Sequence, residues 1–361
     1  MIIRSKAPLR IGLAGGGTDL AQYSDKFGGA VLNATIEMYA YCTIIPRSDG
    51  KIKIRSYDNG NDLFTDAVSV LPIDGDNLIL HRGVYNRVVK QFNGGKPLSF
   101  EMSTSNDAPV GSGLGTSSTM VVAILEAFNR WLGLNLDPYG MAALAYDIER
   151  NDLKLAGGKQ DQYAAAFGGF NFIEFKKNGS VVVNSLRFDK GRINELESSL
   201  LLYYGGCSRS SAKVQLELTK NIINNQIESA KQSESRTLNA MTDLKQSAYD
   251  MKDYLFTGDM QAFAESMRLG WEQKKRTSDI VSNKQLEETI SFVLSHGAEA
   301  VKVSGAGGGG FLLVYCNPVN RQTLIDETAK LPGKTYPVSF SKNGAQSWII
   351  NDKTALKTER I

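Results

Sequence analysis

Histidine is nearly missing from this chain of 361 residues. Only His81 and His296 occur, too few for a His-based zinc site or a Ser–His–Asp triad. Cysteine is almost as scarce. Cys42, Cys207 and Cys316 are odd in number and far apart, which argues against a disulfide framework and fits a reducing compartment. Neither charge sign dominates, because 41 Lys+Arg against 38 Asp+Glu leaves a formal +3. Such a balance gives no dedicated polyanion surface, so nucleic acid is not an expected partner. No apolar stretch approaches the ~20 residues that span a bilayer, and the first ten residues hold no secretory core of about 7–15 apolar residues. A cytoplasmic protein without membrane contact is the expectation.

Two common phosphate-handling signatures are also missing. Gly95-Lys96 is followed by Pro97, and Gly333-Lys334-Thr335 lacks the earlier glycine of G-x-x-x-x-G-K-[ST]. His81-Arg82 runs into Gly83 rather than Asp, and no D-F-G occurs. What remains is an ordinary globular composition, 42% hydrophobic and 22% charged. At about 100–200 residues per domain the length suggests two domains.

Short β-branched or aromatic segments, Ile2–Arg4, Leu9–Leu13, Ala30–Thr35, Tyr39–Pro46, Lys51–Ser56 and Leu98–Ser103, read as strands. The stretch 77–92 carries apolar residues at helical spacing. Residues 117–132 are apolar nearly all round and predict a buried helix. Asp137 followed by Pro138 opens another, to Arg150. From Ser210 to about Leu294 the pattern is helical and polar. The chain then closes with strand, glycine loop, strand, a helix over 319–331 and a strand over 336–341. The change of texture places a boundary near 190, giving units 1–190 and 191–361. The class is α+β with antiparallel or mixed sheets, since strands and helices alternate too irregularly for a doubly wound fold.

Glycine is the one residue in excess, with 35 copies, much of it in clusters. The most informative is Pro109 to Ser118, where Gly111, Ser112, Gly113, Leu114 and Gly115 lead into Thr116, Ser117 and Ser118 at the head of the buried helix. Alternate glycines permit positive φ and expose a row of N–H groups. The helix N-terminus adds a positive dipole end, and together these form a polyphosphate cradle. A plain turn capped by Thr116 is the simpler alternative. A Rossmann turn fits poorly, because the third glycine comes one place early. Two further loops accompany it: Arg10 to Asp19, with Gly15, Gly16, Gly17 and Thr18, and Ser304 to Phe311, with five glycines between two strands.

These three segments, in this order, resemble the motifs of the GHMP kinases (galactokinase, homoserine, mevalonate and phosphomevalonate kinases). The opening Ala7 to Asp19 and the segment Gly158 to Tyr163 are most similar to the branch acting on D-glycero-D-manno-heptose 7-phosphate, with fucokinase-like sugar kinases next. The resemblance implies an N-terminal domain like the second domain of ribosomal protein S5, a ferredoxin-like C-terminal domain and an active site between them. It implies an ATP- and Mg²⁺-dependent kinase that phosphorylates the anomeric hydroxyl of the heptose 7-phosphate to a 1,7-bisphosphate, toward nucleotide-activated heptose and surface polysaccharide. ATP and the sugar phosphate are the expected partners, and a homodimer is left open.

Residue by residue, the same resemblance makes Pro109 to Ser118 the nucleotide loop, Glu149 and Ser117 the Mg²⁺ ligands, and Asp161 the catalytic carboxylate. Arg10 becomes the cation beside Asp161 and the transferring phosphate. Thr18, Asp19 and Gly17 fall at sugar-binding positions, although Gly16 and Gly17 stand where the galactokinase branch carries Glu and His. From the residues alone, Glu149 could instead be a helix-end carboxylate paired with Arg150, and Asp161 a helix N-terminal acid stabilised by the dipole. Arg209, in the turn after Tyr203-Tyr204, is a candidate for the sugar's phosphate, with a turn capped by Ser210 as the alternative. Gly307 and Gly308 are candidates for close approach to substrate, and Lys302 is ambiguous. Lys274-Lys275-Arg276 reads as a solvated face, and Trp271 with Met267 as packing. A sugar and nucleotide sensor without turnover is the rival reading from another class.

Overall fold

The computed structural model describes residues 1–73, 75, 78–206, 211–229 and 236–351. Two sheets organise them. The first holds β1 (Ile2–Ala14), β2 (Gly29–Pro46), β3 (Lys51–Ser56), β4 (Asn61–Asp66), β5 (Phe100–Asn106), β6 (Phe170–Phe175) and β7 (Val181–Leu186). The second holds β8 (Leu200–Tyr204), β9 (Ala298–Val303), β10 (Phe311–Cys316) and β11 (Lys334–Pro337), and β12 (Gln346–Ile350) returns to the first. The helices are α1 (Ala21–Phe27), α2 (Ile79–Phe92), α3 (Thr116–Leu132), α4 (Pro138–Asp147), α5 (Gln160–Phe167), α6 (Lys190–Ser199), α7 (Ser211–Ser229), α8 (Arg236–Thr257), α9 (Met260–Lys275), α10 (Lys284–Ser295) and α11 (Arg321–Thr328).

The first sheet runs β12-β1-β2-β5-β3-β4, with β6 on β2 and β7 on β6; only β3 and β5 pair in parallel. Two strands are longer than their sequence suggests. Ile2–Arg4 and Leu9–Leu13, expected as separate strands, are one strand β1, and Ala30–Thr35 and Tyr39–Pro46 are one strand β2. The register of the β1–β2 pair shifts between Pro8 and Arg10 and again between Gly12 and Ala14. A bulge accommodates the N–H that proline lacks and re-aims the next side chains, here Arg10.

Helix α3 lies across β1 and β2 and is buried almost all round, from Ser118 to Phe128 with Glu126 as the break. Its apolar sequence therefore met the environment it required. Fully buried side chains such as Leu125 and Phe128 are each worth about 1.5–3 kcal/mol relative to exposure. Helices α2, α4 and α5 share this layer and its core.

The second sheet has the order β11-β8-β10-β9, antiparallel throughout, with helices between β8 and β9 and α11 between β10 and β11. Counted within this sheet the order is 4-1-3-2, the β-α-β-β-α-β ferredoxin-like arrangement. Its two central strands, β8 and β10, are apolar throughout because both faces are covered. Leu200, Leu202, Phe311 and Leu313 face the core shared with the first sheet, while Leu201, Tyr203, Leu312 and Val314 face α10 and α11.

The strand expected over 336–341 stops at Pro337, which cannot donate to the ladder. The chain then crosses to β2, where Ser341 N donates to Thr35 O and Glu37 N to Ser339 O. It ends its described course in β12 against β1. From α6 onward the chain builds the second sheet, and the last strand, β12, crosses back to the first.

Candidate active site

The bulge in β1 brings Arg10 to the centre of the molecule. Its Nε donates to Asp161 Oδ1 at 2.7 Å and its Nη1 to the Gly113 carbonyl at 2.6 Å. One buried guanidinium thus ties β1, the loop 109–118 and the start of α5 together across 151 positions of sequence. Asp161 keeps about a fifth of its side chain exposed and packs against Gly115, where an added Cβ would lie 3.1 Å from its Cγ.

Gly111, Gly113 and Gly115 have φ of 77°, 83° and 80°, the alternate left-handed turns that the sequence predicts. Gly115 occupies the N-cap of α3, and no side chain caps the helix. Thr116 capping is therefore not what the loop does. The first N–H groups of the helix have no intrahelical partner, and they face a groove of about 920 Å³, partly open to solvent. Gly111, Gly113, Gly115, Thr116, Ser117 and Ser118 line it together with Glu149 and Asp161. Ser112 and Leu114 are buried and act through their carbonyls, which accept from Phe311 N and Arg10 N. The Pro109 carbonyl accepts from Ser112 N and closes the turn.

Glu149 lies in a single π-helical turn, Ile148–Asp152, that follows α4. The sequence predicts one helix to Arg150; the wider turn is a device common at functional sites. It leaves the Glu149 carboxylate 2% exposed, so the solvated helix-end alternative does not hold. Ser118 Oγ donates to one oxygen at 3.0 Å, Gln162 Nε2 to the other at 2.5 Å, and Arg150 stands 3.6 Å away. Burial is the main cause that pushes the Glu149 carboxyl above the usual range. The hydroxyl in contact with Glu149 is thus Ser118, whereas Ser117 is exposed on the groove wall.

On the other side of Arg10 lies a second cavity, lined by Gly17, Asp19, Gln160, Asp161 and Lys274 among others. Asp19 is buried, and its carboxylate accepts from Gly17 N and Gln160 N, both at 3.1 Å. Gly158 must be glycine there, since a Cβ would fall 1.8 Å from Asp19 Oδ2. Thr18 does not reach this cavity. It is fully buried, and its hydroxyl lies 2.8 Å from both the Gly15 and Ala30 carbonyls, which share its one proton, and accepts from Ala30 N. A hydroxyl spent in this way is a structural tie and cannot meet a ligand.

The third glycine loop also differs from expectation. Gly307 and Gly308 are held by Val281: Gly308 N donates to its carbonyl at 2.6 Å, and a Cβ on Gly307 would lie 2.8 Å from the same oxygen. Gly308 lines a separate cavity with Tyr203 and Asn283. The loop residues beside Asp161 are instead Gly305 and Ala306. Arg209 lies outside the described residues.

Sequence reasoning missed Lys274. The run 274–276 is not uniformly solvated: Lys275 and Arg276 make surface pairs, whereas Lys274 is 8% exposed and donates to Gly16 O at 3.0 Å. The signal was present, because Met267, Trp271 and Lys274 follow one another at helical spacing on a single face. Lys302 resolves in the same direction, turning in to donate to Leu13 O at 2.7 Å.

Comparison with known proteins bears on the family and the fold. The GHMP kinases N terminal domain matches residues 77–169, and the GHMP kinases C terminal domain matches 251–330. A D-glycero-alpha-D-manno-heptose 7-phosphate kinase from Campylobacter jejuni is 43% identical over 348 residues, covering 96% of this chain and 99% of the relative. A crystal structure described as a D-glycero-D-manno-heptose 1-phosphate kinase from Bacteriodes thetaiotaomicron superposes with a TM-score of 0.81 at 43% identity, covering 97% of this chain and all of that one. A galactokinase from Pyrococcus furiosus is 24% identical over 90% of this chain and 92% of its own length. Likeness sustained at this level from end to end, in sequence and in backbone, means that the chain belongs to the GHMP kinase family.

Proposed function

We propose that the protein transfers the γ-phosphoryl group of ATP to the anomeric hydroxyl of D-glycero-D-manno-heptose 7-phosphate. The observation that carries this reading is the position of Asp161. It is held by Arg10, packed on Gly115, and common to the walls of the nucleotide groove and of the cavity with Asp19. Of the carboxylates lining the two spaces among the described residues, Asp161 is the one common to both, where a hydroxyl bound on one side can meet a phosphoryl group bound on the other. Identity of 43% with the Campylobacter relative, sustained over nearly the whole of both chains, supports the sugar.

Phosphoryl transfer asks the protein mainly for positioning and charge stabilisation. The loop 109–118 supplies N–H donors to the triphosphate. Asp161 orients the sugar hydroxyl and takes its proton as the oxygen bonds to the γ-phosphorus and the bond to the ADP oxygen breaks. Arg10 fixes the Asp161 carboxylate and lies beside the developing charge. Asp19, already bound to two backbone amides, shapes the floor of the sugar cavity.

The residues also fit a magnesium ion. Glu149 is a buried carboxylate with neutral hydrogen-bond donors and one cation at 3.6 Å, and it lines the nucleotide groove with the Ser117 hydroxyl. One or two protein oxygens, with phosphate oxygens and water completing the octahedron, is the usual way this ion is held. When bound it neutralises charge on the phosphates.

Purified protein incubated with ATP and Mg²⁺ and, separately, the heptose 7-phosphate, fucose, galactose and mevalonate is the direct test. Turnover with the heptose 7-phosphate and formation of a 1,7-bisphosphate is the expected result. Turnover only with fucose would move the protein to the neighbouring branch. Tight ATP binding with no turnover of any acceptor would favour the sensor reading.

A further inference from the structure

A third cavity adjoins the sugar cavity and shares Arg10, Gln160, Lys274 and Gly305 with it. Its own wall is formed by Leu13, Gly16, Trp271, Lys302 and neighbouring residues. Two ammonium groups converge on it from different elements, Lys274 from α9 and Lys302 from β9. Each has one acceptor in the described structure, a backbone carbonyl, although an ammonium carries three donors. Among the described residues the Trp271 indole Nε1 has no hydrogen-bond partner, although the residue is 3% exposed. A buried indole N–H normally finds one.

The charges around this cavity do not balance. Arg10, Lys274 and Lys302 are the cations. Arg10 is committed to Asp161, and Asp19 is the acid whose charge supports Lys274. Burial pulls Lys274 down to about 8 despite Asp19. Burial pulls Lys302 down to about 7, with the charges of Lys274 and Arg10 adding to the effect. Two ammonium groups with unused donors, next to the cavity that receives the sugar, are suited to an anion.

We infer that Lys274, Lys302 and the Trp271 indole N–H hold the phosphate at the far end of the sugar, so that this inner cavity selects a phosphorylated over a plain sugar. The inference rests on the reaction proposed above and adds its specificity determinant. With the reacting hydroxyl at Asp161, the opposite end of an extended sugar phosphate points past Gln160 and Lys274 into this cavity. A dianionic group there satisfies the indole and both ammonium groups at once, through the charge-assisted bonds that are strongest when desolvated.

The test compares kcat/KM for the heptose 7-phosphate with that for the same heptose lacking the phosphate. Lys302→Gln is expected to lower this ratio by about 10- to 100-fold, the loss of a hydrogen bond to a charged group. Trp271→Phe should lower it by about threefold, and Lys302→Arg should restore part of the loss. A second readout needs no turnover. With ADP and Mg²⁺ filling the nucleotide groove, inorganic phosphate should raise the melting temperature of the unmodified protein and of Asp161→Asn, but not of Lys302→Gln. A preference for the phosphorylated sugar that survives both Lys302→Gln and Trp271→Phe would overturn the inference, as would equal phosphate protection in all variants. If the unmodified protein turned over no heptose 7-phosphate, the proposed reaction would fail, while the phosphate protection series would still decide whether the inner cavity is an anion site.

Discussion

In the loop 109–118 glycine turns the backbone toward a groove, whereas in the loop 304–311 it turns the backbone against another backbone. Gly115 has the Asp161 side chain 3.1 Å from where a Cβ would stand, and beyond it lies open space that a ligand can occupy. Gly305 and Gly310 have instead the Gly113 carbonyl at 2.6 Å and the Ser112 carbonyl at 2.4 Å. Phe311 N and Ser304 Oγ complete the contact by donating to the same two carbonyls. The second loop is a buttress that fixes the first from behind. A cluster of glycines therefore signals close approach, but the sequence does not say whether a ligand or the protein itself approaches.

If chemistry belongs to the first loop and support to the second, the largest loss of turnover should come from the residue that the first loop positions. Asp161→Asn preserves shape and an acceptor for Arg10 but removes the proton acceptor. It is expected to lower kcat by about 10²–10⁴ while KM for ATP stays within about threefold. A kcat within tenfold of the unmodified enzyme would remove Asp161 from the chemical step.

The comparison is broken or kept most directly by a pair of alanines. In Gly310→Ala the new Cβ meets main-chain atoms at φ of 92°, so strain and clash both fall on backbone that cannot swing away. A destabilisation of about 3 kcal/mol is expected, seen as a lower melting temperature that ATP analogues only partly restore. In Gly115→Ala, at φ of 80°, the neighbour is a side chain. Left-handed strain costs about 1–2 kcal/mol, and the displaced carboxylate should lower kcat by ~10-fold or more. Equal melting temperatures with equal kcat for the two variants would mean that the loops are not specialised.

How much of this was readable beforehand follows from how local each signal is. The buried helix α3, the left-handed glycines before it and the Asp137 cap, which accepts from Gly140 N at 2.7 Å, were legible because each depends on a few adjacent residues. The Arg10–Asp161 pair was legible only through family likeness, since no periodicity links residues 151 apart. Thr18 misled because a hydroxyl in a glycine loop suits a ligand and a backbone tie equally well. Only the fold decides which it meets. Lys274 was hidden by two charged neighbours that do face solvent, although its spacing from Trp271 and Met267 marked the inner face. The single run of β1 through Pro8 was obscured because proline lacks a ladder donor and needs the register shift that follows it.

The smallest effect expected is also the sharpest probe of the groove side of the comparison. Burial, with the charge of Asp161 adding to it, raises the Glu149 carboxyl, and Arg150 and the bonds from Gln162 and Ser118 oppose the rise without cancelling it. An acid whose folded-state pKa is raised keeps its proton when the unfolded chain, titrating near about 4.3, has lost it. Stability therefore falls as pH rises through the window between the two values and stays lower above it. Glu149→Gln removes that term. At pH 7 the variant should melt about 1–3 °C higher than the unmodified protein, and the difference should vanish on acidification below the ordinary glutamate range. Adding ATP with Mg²⁺ should reverse the order, because a cation in the groove rewards the carboxylate and not the amide. A melting difference independent of pH would place Glu149 among groups that merely pack, on the supporting side of the division rather than the chemical one.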